Sequence, residues 1–153
     1  MNIYEIIEKL NIKYEEIVHD AVYTMEEAMK IKKSLEGIEC KNLFLKSKDN
    51  YFLLVIEGTK KANLKEIEKK FNIKRLTFAS EEELMSILNL TRGSVTPLGI
   101  INDNKKIVSV LLDKDLLNNK LLVHPNVNTK TISIEFDDLI KIINYSDHKY
   151  MFF

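Results

Sequence analysis

The chain has no tryptophan, one cysteine, two prolines and four glycines among its 153 residues, and its 23 basic and 23 acidic side chains cancel. Each scarcity excludes something. A lone Cys40 cannot close an internal disulfide and rules out multi-cysteine zinc frameworks. With no net charge, no overall field draws the protein to nucleic acid or to an anionic membrane, so any polyanion must be held by a local patch. No apolar run approaches the roughly 20 residues of a membrane-spanning helix. The opening MNIYEIIEKL carries acids where a secretory leader would carry bases and then an apolar block, so the expected location is the cytoplasm. With 45% hydrophobic and 30% charged residues, the chain is too apolar for disorder and long enough for one packed core.

Ile3, Ile6, Ile7 and Leu10 recur at helical spacing before Asn11, which predicts a first helix ending there. Thr24 with Glu27 reads as a capping box opening a helix over about 25–35. CKNLFLKSKDNYFLLVIEG predicts two strands around a polar turn at Lys48–Asn50, and the unbroken apolar runs imply burial on both faces. Asn63 with Glu66 and Ser80 with Glu83 are further capping signatures, with a short strand in IKRLTFA between their helices. KIVSVLL, KLLVH and TISI are three more strand candidates, and FDDLIKIIN is expected to close the chain with a helix. Helices interspersed with hairpin-linked and separated strands predict an α/β or α+β domain with a mixed sheet, spanning residues 1–153.

Three polar groupings stand against this core. Lys41 and Asn42 sit at the entrance of an apolar strand, where an ammonium must find an anion, a cavity or solvent. VHPNVNT, residues 123–129, ends a strand with His124 and follows it with Asn126 and Asn128, which suit either a polar ligand or a plain turn. RGSVTPLGI, residues 92–100, gathers two of the four glycines and one of the two prolines. Its glycines permit close backbone approach, and its N–H groups could take an oxyanion. Lys60, Lys61, Lys65, Lys69, Lys70, Lys74 and Arg75 form a basic cluster that reads first as a solvated helix face. Neither a phosphate-binding loop nor a hydrolase elbow is present, and spacing alone yields no mechanism.

HDAVYTMEEA (19–28), CKNLFLK (40–46), KRLTFAS (74–80), RGSVTPLGIIND (92–103) and VHPNVNTKTISI (123–134) resemble, in order, the segments of the YbaK/ProX family of aminoacyl-tRNA deacylases. Within it they most resemble the freestanding ProX type, similar to the editing domain of bacterial prolyl-tRNA synthetases. The resemblance implies a compact α/β domain with a mixed, barrel-like sheet flanked by helices. It implies hydrolysis of mischarged aminoacyl-tRNA, above all alanyl-tRNA(Pro); with no Cys or His cluster of ligand spacing, neither metal nor cofactor is expected. The implied partners are the aminoacylated 3′ end and acceptor stem of tRNA, with prolyl-tRNA synthetase a further one, and neither DNA nor membrane.

At matched positions the resemblance gives Lys41, Gly93, Ser94 and His124 to catalysis. Asn42, Val95, Thr96, Pro97 and Asn126 go to the substrate and Lys46 and Arg75 to tRNA phosphates, while Thr24, Met25 and Met29 suit either the pocket lining or an ordinary core role. Leu98 stands where many relatives are expected to carry an aromatic residue, which would change a pocket wall. A cysteinyl or other small aminoacyl substrate stays open, as does a non-catalytic module that binds tRNA or a synthetase.

Overall fold

The computed structural model describes residues 1–21, 26 and 35–153. Among these, eight strands form one mixed sheet flanked by four α-helices and two 3-10 turns. The strands are β1 (Glu15–Val18), β2 (Ile38–Ser47), β3 (Asn50–Glu57), β4 (Thr77–Phe78), β5 (Val108–Leu112), β6 (Lys120–Val123), β7 (Lys130–Glu135) and β8 (Tyr150–Phe152). Their order is β1-β7-β6-β2-β3-β5-β8, with β4 on β2. The helices are α1 (Ile3–Lys9), α2 (Leu64–Phe71), α3 (Glu81–Leu88) and α4 (Phe136–Tyr145). The helix expected over 25–35, its Thr24–Glu27 box, and Met25 and Met29 lie outside the described residues, apart from Glu26 and Leu35. None of the described helices is long and apolar enough to cross a membrane.

The hairpin β2–β3 organises the sheet. Lys48, in the left-handed region, makes the turn, and Ser47 faces Asn50. Along β3, Leu53 and Val55 enter one core and Phe52 and Leu54 the other, so the apolar run is buried on both faces as its composition predicts. The larger core gathers Phe44, Leu53, Val110 and Ile132 from the sheet beneath Ile7, Leu88, Leu98 and Ile142. The smaller packs Leu45, Leu54 and Leu111 against Ile67 of α2. Asn63 caps α2 by accepting from Glu66 N, and Ser80 and Glu83 close a reciprocal capping box on α3.

Two strands escape the sequence reading. β1 is a short, largely exposed, acid-rich segment whose strand state comes from antiparallel pairing with β7. β8 corrects the expectation that a helix closes the chain. After α4 the backbone turns through Asp147 and lays Tyr150–Phe152 parallel to β5. Three residues carry too little periodicity to declare a strand.

Candidate active site

β2 is paired along its β3 edge but only partly along the other. β6 covers it at Ile38 and Glu39, β4 covers it at Leu45 and Lys46, and between them the edge lies open. Because Gly58 N donates to Glu39 O, the ladder alternation directs the backbone N–H and C=O of Asn42 away from β3 and into that gap. A cavity of about 540 Å³ occupies the gap, a volume ordinary for a small-molecule site. Lys41, Asn42, Gly93, Val95 and His124 line it together, with Leu43, Phe78 and Thr131.

The loop from Gly93 to Leu98 is built to hold still. Gly93 adopts φ 83°, which suits glycine, and Ser94 N closes a turn on Thr91 O. Asn42 Nδ2 donates to Val95 O at 3.2 Å, Asn128 Nδ2 to Ser94 Oγ at 3.1 Å, and Asn126 Nδ2 to Leu98 O at 3.3 Å. Thr96 Oγ1 donates to the carbonyl of His124 at 2.7 Å and accepts from Leu98 N. The polar groups of VHPNVNT therefore brace the glycine-containing loop. Ser94, Thr96, Pro97 and Asn126 stand behind the wall and do not line the cavity. Leu98 is fully buried in the larger core, so exchange of an aromatic residue there alters packing behind the loop and no wall. Gly99 opens the 3-10 helix to Leu90: an added Cβ would meet Leu90 Cδ1 at 2.6 Å.

Lys41 is half-buried and reaches the carbonyl of Lys60, with Nζ donating at 2.6 Å. That carbonyl is itself placed: the Lys60 ammonium is bound to Asp113 at 2.9 Å and to Asp115, and Asp113 also accepts from Glu57 N. Burial raises the Asp113 pKa, but the Glu57 N–H and Lys60 outweigh it and the carboxyl is held low. An ammonium has three donors, so one bond to Lys60 O leaves Lys41 two for a ligand.

His124 donates from Nδ1 to Lys130 O at 3.1 Å. A carbonyl only accepts, so Nδ1 carries the proton and the neutral ring keeps its lone pair on Nε2. Burial pulls the His124 pKa below the usual histidine value, His19 adds to this, and the Lys130 carbonyl opposes it. His19, absent from the sequence-stated site, lies with its ring 6.2 Å from that of His124. Its Nε2 is 2.8 Å from the hydroxyl of Thr131, a cavity residue, and its Nδ1 bonds to Asp20 O. The pairing of Val123 with Ile132 puts Thr131 opposite His124 on one face, a relation only the strand register supplies.

Neither Lys46 nor Arg75 lines the cavity. Lys46 is bound to Glu83 at 2.7 Å, and together with Ser80 N and the Tyr51 hydroxyl it drives that carboxyl down to about 2. Arg75 is exposed at a left-handed position before β4. Among the described residues no group of three or more His, Cys, Asp or Glu side chains is arranged to hold a metal ion.

A mixed sheet whose open strand edge, braced loop and half-buried lysine enclose one cavity defines a ligand-processing α/β domain. The chain belongs to the aminoacyl-tRNA editing domain family, which matches residues 19–142 and whose members are aminoacyl-tRNA deacylases. It is 39% identical over 142 residues to the prolyl-tRNA editing protein ProX of Acetoanaerobium sticklandii, covering 90% of this chain and 85% of that one. It is 32% identical over 148 residues to prolyl-tRNA synthetase associated domain-containing protein 1 of Danio rerio, covering 94% and 80%. Among solved structures, a hypothetical protein superposes with TM-score 0.76 at 16% identity, covering 93% of each chain. A proposed trans-editing enzyme for prolyl-tRNA synthetase superposes with TM-score 0.71 at 17% identity, covering 90% of this chain and 84% of that one. At those identities the superpositions speak for the fold.

Proposed function

We propose that this protein hydrolyses, in trans, the ester joining a wrongly attached small amino acid, alanine foremost, to the 3′ end of proline tRNA. The observation that carries the reading is the meeting of Lys41, Asn42, Gly93, Val95 and His124 on one cavity. Resemblance alone matched these residues, from three separate segments.

The substrate brings an anionic chain end, vicinal ribose hydroxyls and an acyl ester. Lys41, anchored by the Lys60 carbonyl, aims its remaining N–H donors at the chain end. Water adds to the ester carbonyl, the C–O bond to the ribose breaks, and the departing 3′ oxygen takes a proton. The N–H groups of Gly93 and Val95 are the loop donors for the oxyanion, since Ser94 N is already engaged with Thr91 O. The His124 Nε2 lone pair accepts from the water or from the ribose hydroxyl beside it. The need for such an enzyme is physical. A synthetase pocket built for proline cannot strongly reject a smaller side chain, because small apolar differences are worth only about 1–3 kcal/mol.

A non-catalytic module of the same fold is the second reading. The half-buried Lys41, in the cavity wall with its ammonium held by a backbone carbonyl, favours catalysis. Incubation with alanyl-, cysteinyl- and prolyl-tRNA(Pro), counting the ester that survives, tests both. Rapid loss of alanyl ester with prolyl ester spared is expected. Faster loss of cysteinyl ester reassigns the substrate, and survival of all three makes the chain a binding module.

A further inference from the structure

Phe78 is an aromatic side chain left 65% exposed on the rim of the cavity. β4 is only two residues long, and its pairing places Phe78 opposite Leu45 on β2. Leu45 is fully buried under α2, but no described element extends over Phe78. The same pairing face continues along β2 through Leu43 to Lys41, both in the cavity wall. Four residue steps separate Leu45 from Lys41, roughly 13 Å at about 3.3 Å per residue. A ligand held at Lys41 and large enough to reach Phe78 is thus longer than an amino acid. Arg92, on the same rim and strongly exposed, is tied among the described residues only through a solvated contact of 3.3 Å to Glu81. Such pairs exchange readily for a better anion.

An exposed aromatic and an exchangeable cation, both lining one cavity, are a combination that takes single-stranded nucleic acid. Every base has a face to stack, and each backbone step has a phosphate to neutralise. We infer that Phe78 is a stacking platform for an unpaired base at the 3′ end of tRNA, with Arg92 on the same rim for the adjoining phosphate. This rests on the editing reading, and adds to it a contact that grips the end whatever amino acid it carries.

Because the chain has no tryptophan, Phe78→Trp introduces a single indole on the rim. Its emission is expected to be quenched on titration with uncharged tRNA, and to stay unchanged with tRNA trimmed of its single-stranded 3′ end. Phe78→Ala is expected to weaken binding of intact tRNA by about 5- to 150-fold, the worth of one base–aromatic stack, and to leave trimmed tRNA unaffected. Phe78→Leu, apolar but without a π-face, should fall nearer Ala than Trp. An unquenched indole, equal loss on trimmed tRNA, or full affinity in Phe78→Leu overturns the platform. Quenching by prolyl-tRNA synthetase alone overturns it too, in favour of a protein-docking surface. Wild-type hydrolysis of aminoacyl-tRNA is scored separately: hydrolysis with an unquenched indole sinks the platform alone, and quenching without hydrolysis sinks the editing reading alone.

Discussion

Lys41 spends one donor on a backbone carbonyl and belongs to neither hydrophobic core, so its removal should act on chemistry more than on stability. Lys41→Ala is expected to slow single-turnover deacylation by about 10²-fold, the scale of losing one preorganised charge, while the circular dichroism spectrum and melting temperature hold. An unchanged rate removes Lys41 from the site. His124 makes a pH prediction with a definite sign. Its pKa is lowered in the folded state, so the unfolded chain binds the proton more tightly. Stability should be full above the ordinary histidine value of about 6.5 and fall as pH drops below it. Urea titrations from pH 7.5 to 5 should show this slope in wild type and a shallower one in His124→Asn. Equal slopes would mean that the ring is not held neutral by its surroundings.

The elements show why local sequence located some parts and missed others. Ser80 and Glu83 announced the start of α3 because a capping box needs only residues three apart. Ser80→Ala should cost about 1 kcal/mol in chemical denaturation. Ser80 also lines the cavity, but its hydroxyl is engaged by Glu83 N, so turnover should fall no further than stability does; a larger loss of turnover would assign it a part in the site. β1 and β8 are legible only through their partners β7 and β5. The strand expected in IKRLTFA shrinks to Thr77–Phe78 because Arg75 takes φ 56° just before it. The loop from 92 to 100 was recognisable as unusual from its glycines and proline. Which of its residues face the cavity was decided by bonds donated by Asn42, Asn126 and Asn128 and by one accepted by the His124 carbonyl, the last three residues lying about 30 residues further along the chain.

For the whole molecule, zero net charge leaves no general field to attract tRNA, so the proposed grip must come from placed cations and the proposed stacking face. Arg75 is exposed near β4, whereas Lys46 is already engaged with Glu83, so Arg75 is the freer phosphate contact of the two. Arg75→Ala is expected to weaken tRNA binding, lower the salt slope by up to about 0.9, and leave the rate at saturating substrate near wild type. Filter binding of alanyl-tRNA at several salt concentrations measures this. A wild-type slope would return Arg75 to the solvated surface it shares with the lysines of α2.

By itself the sequence determined the starts of α2 and α3, the central hairpin and the two-faced burial of β3. Those properties rest on side-chain periodicity, turn chemistry and capping, all of which act within a few residues. Only the tertiary structure decided that β6 and β4 cover the two ends of β2 and leave its middle open. The same structure put Thr96 and Pro97 behind the wall while Lys41, Gly93 and His124 line it, and brought His19 and Thr131 beside His124. The physical reason is that a cavity is a gap between pairings of residues far apart in the chain, Ile38 with Leu121 and Leu45 with Phe78, and no local pattern encodes where a pairing stops.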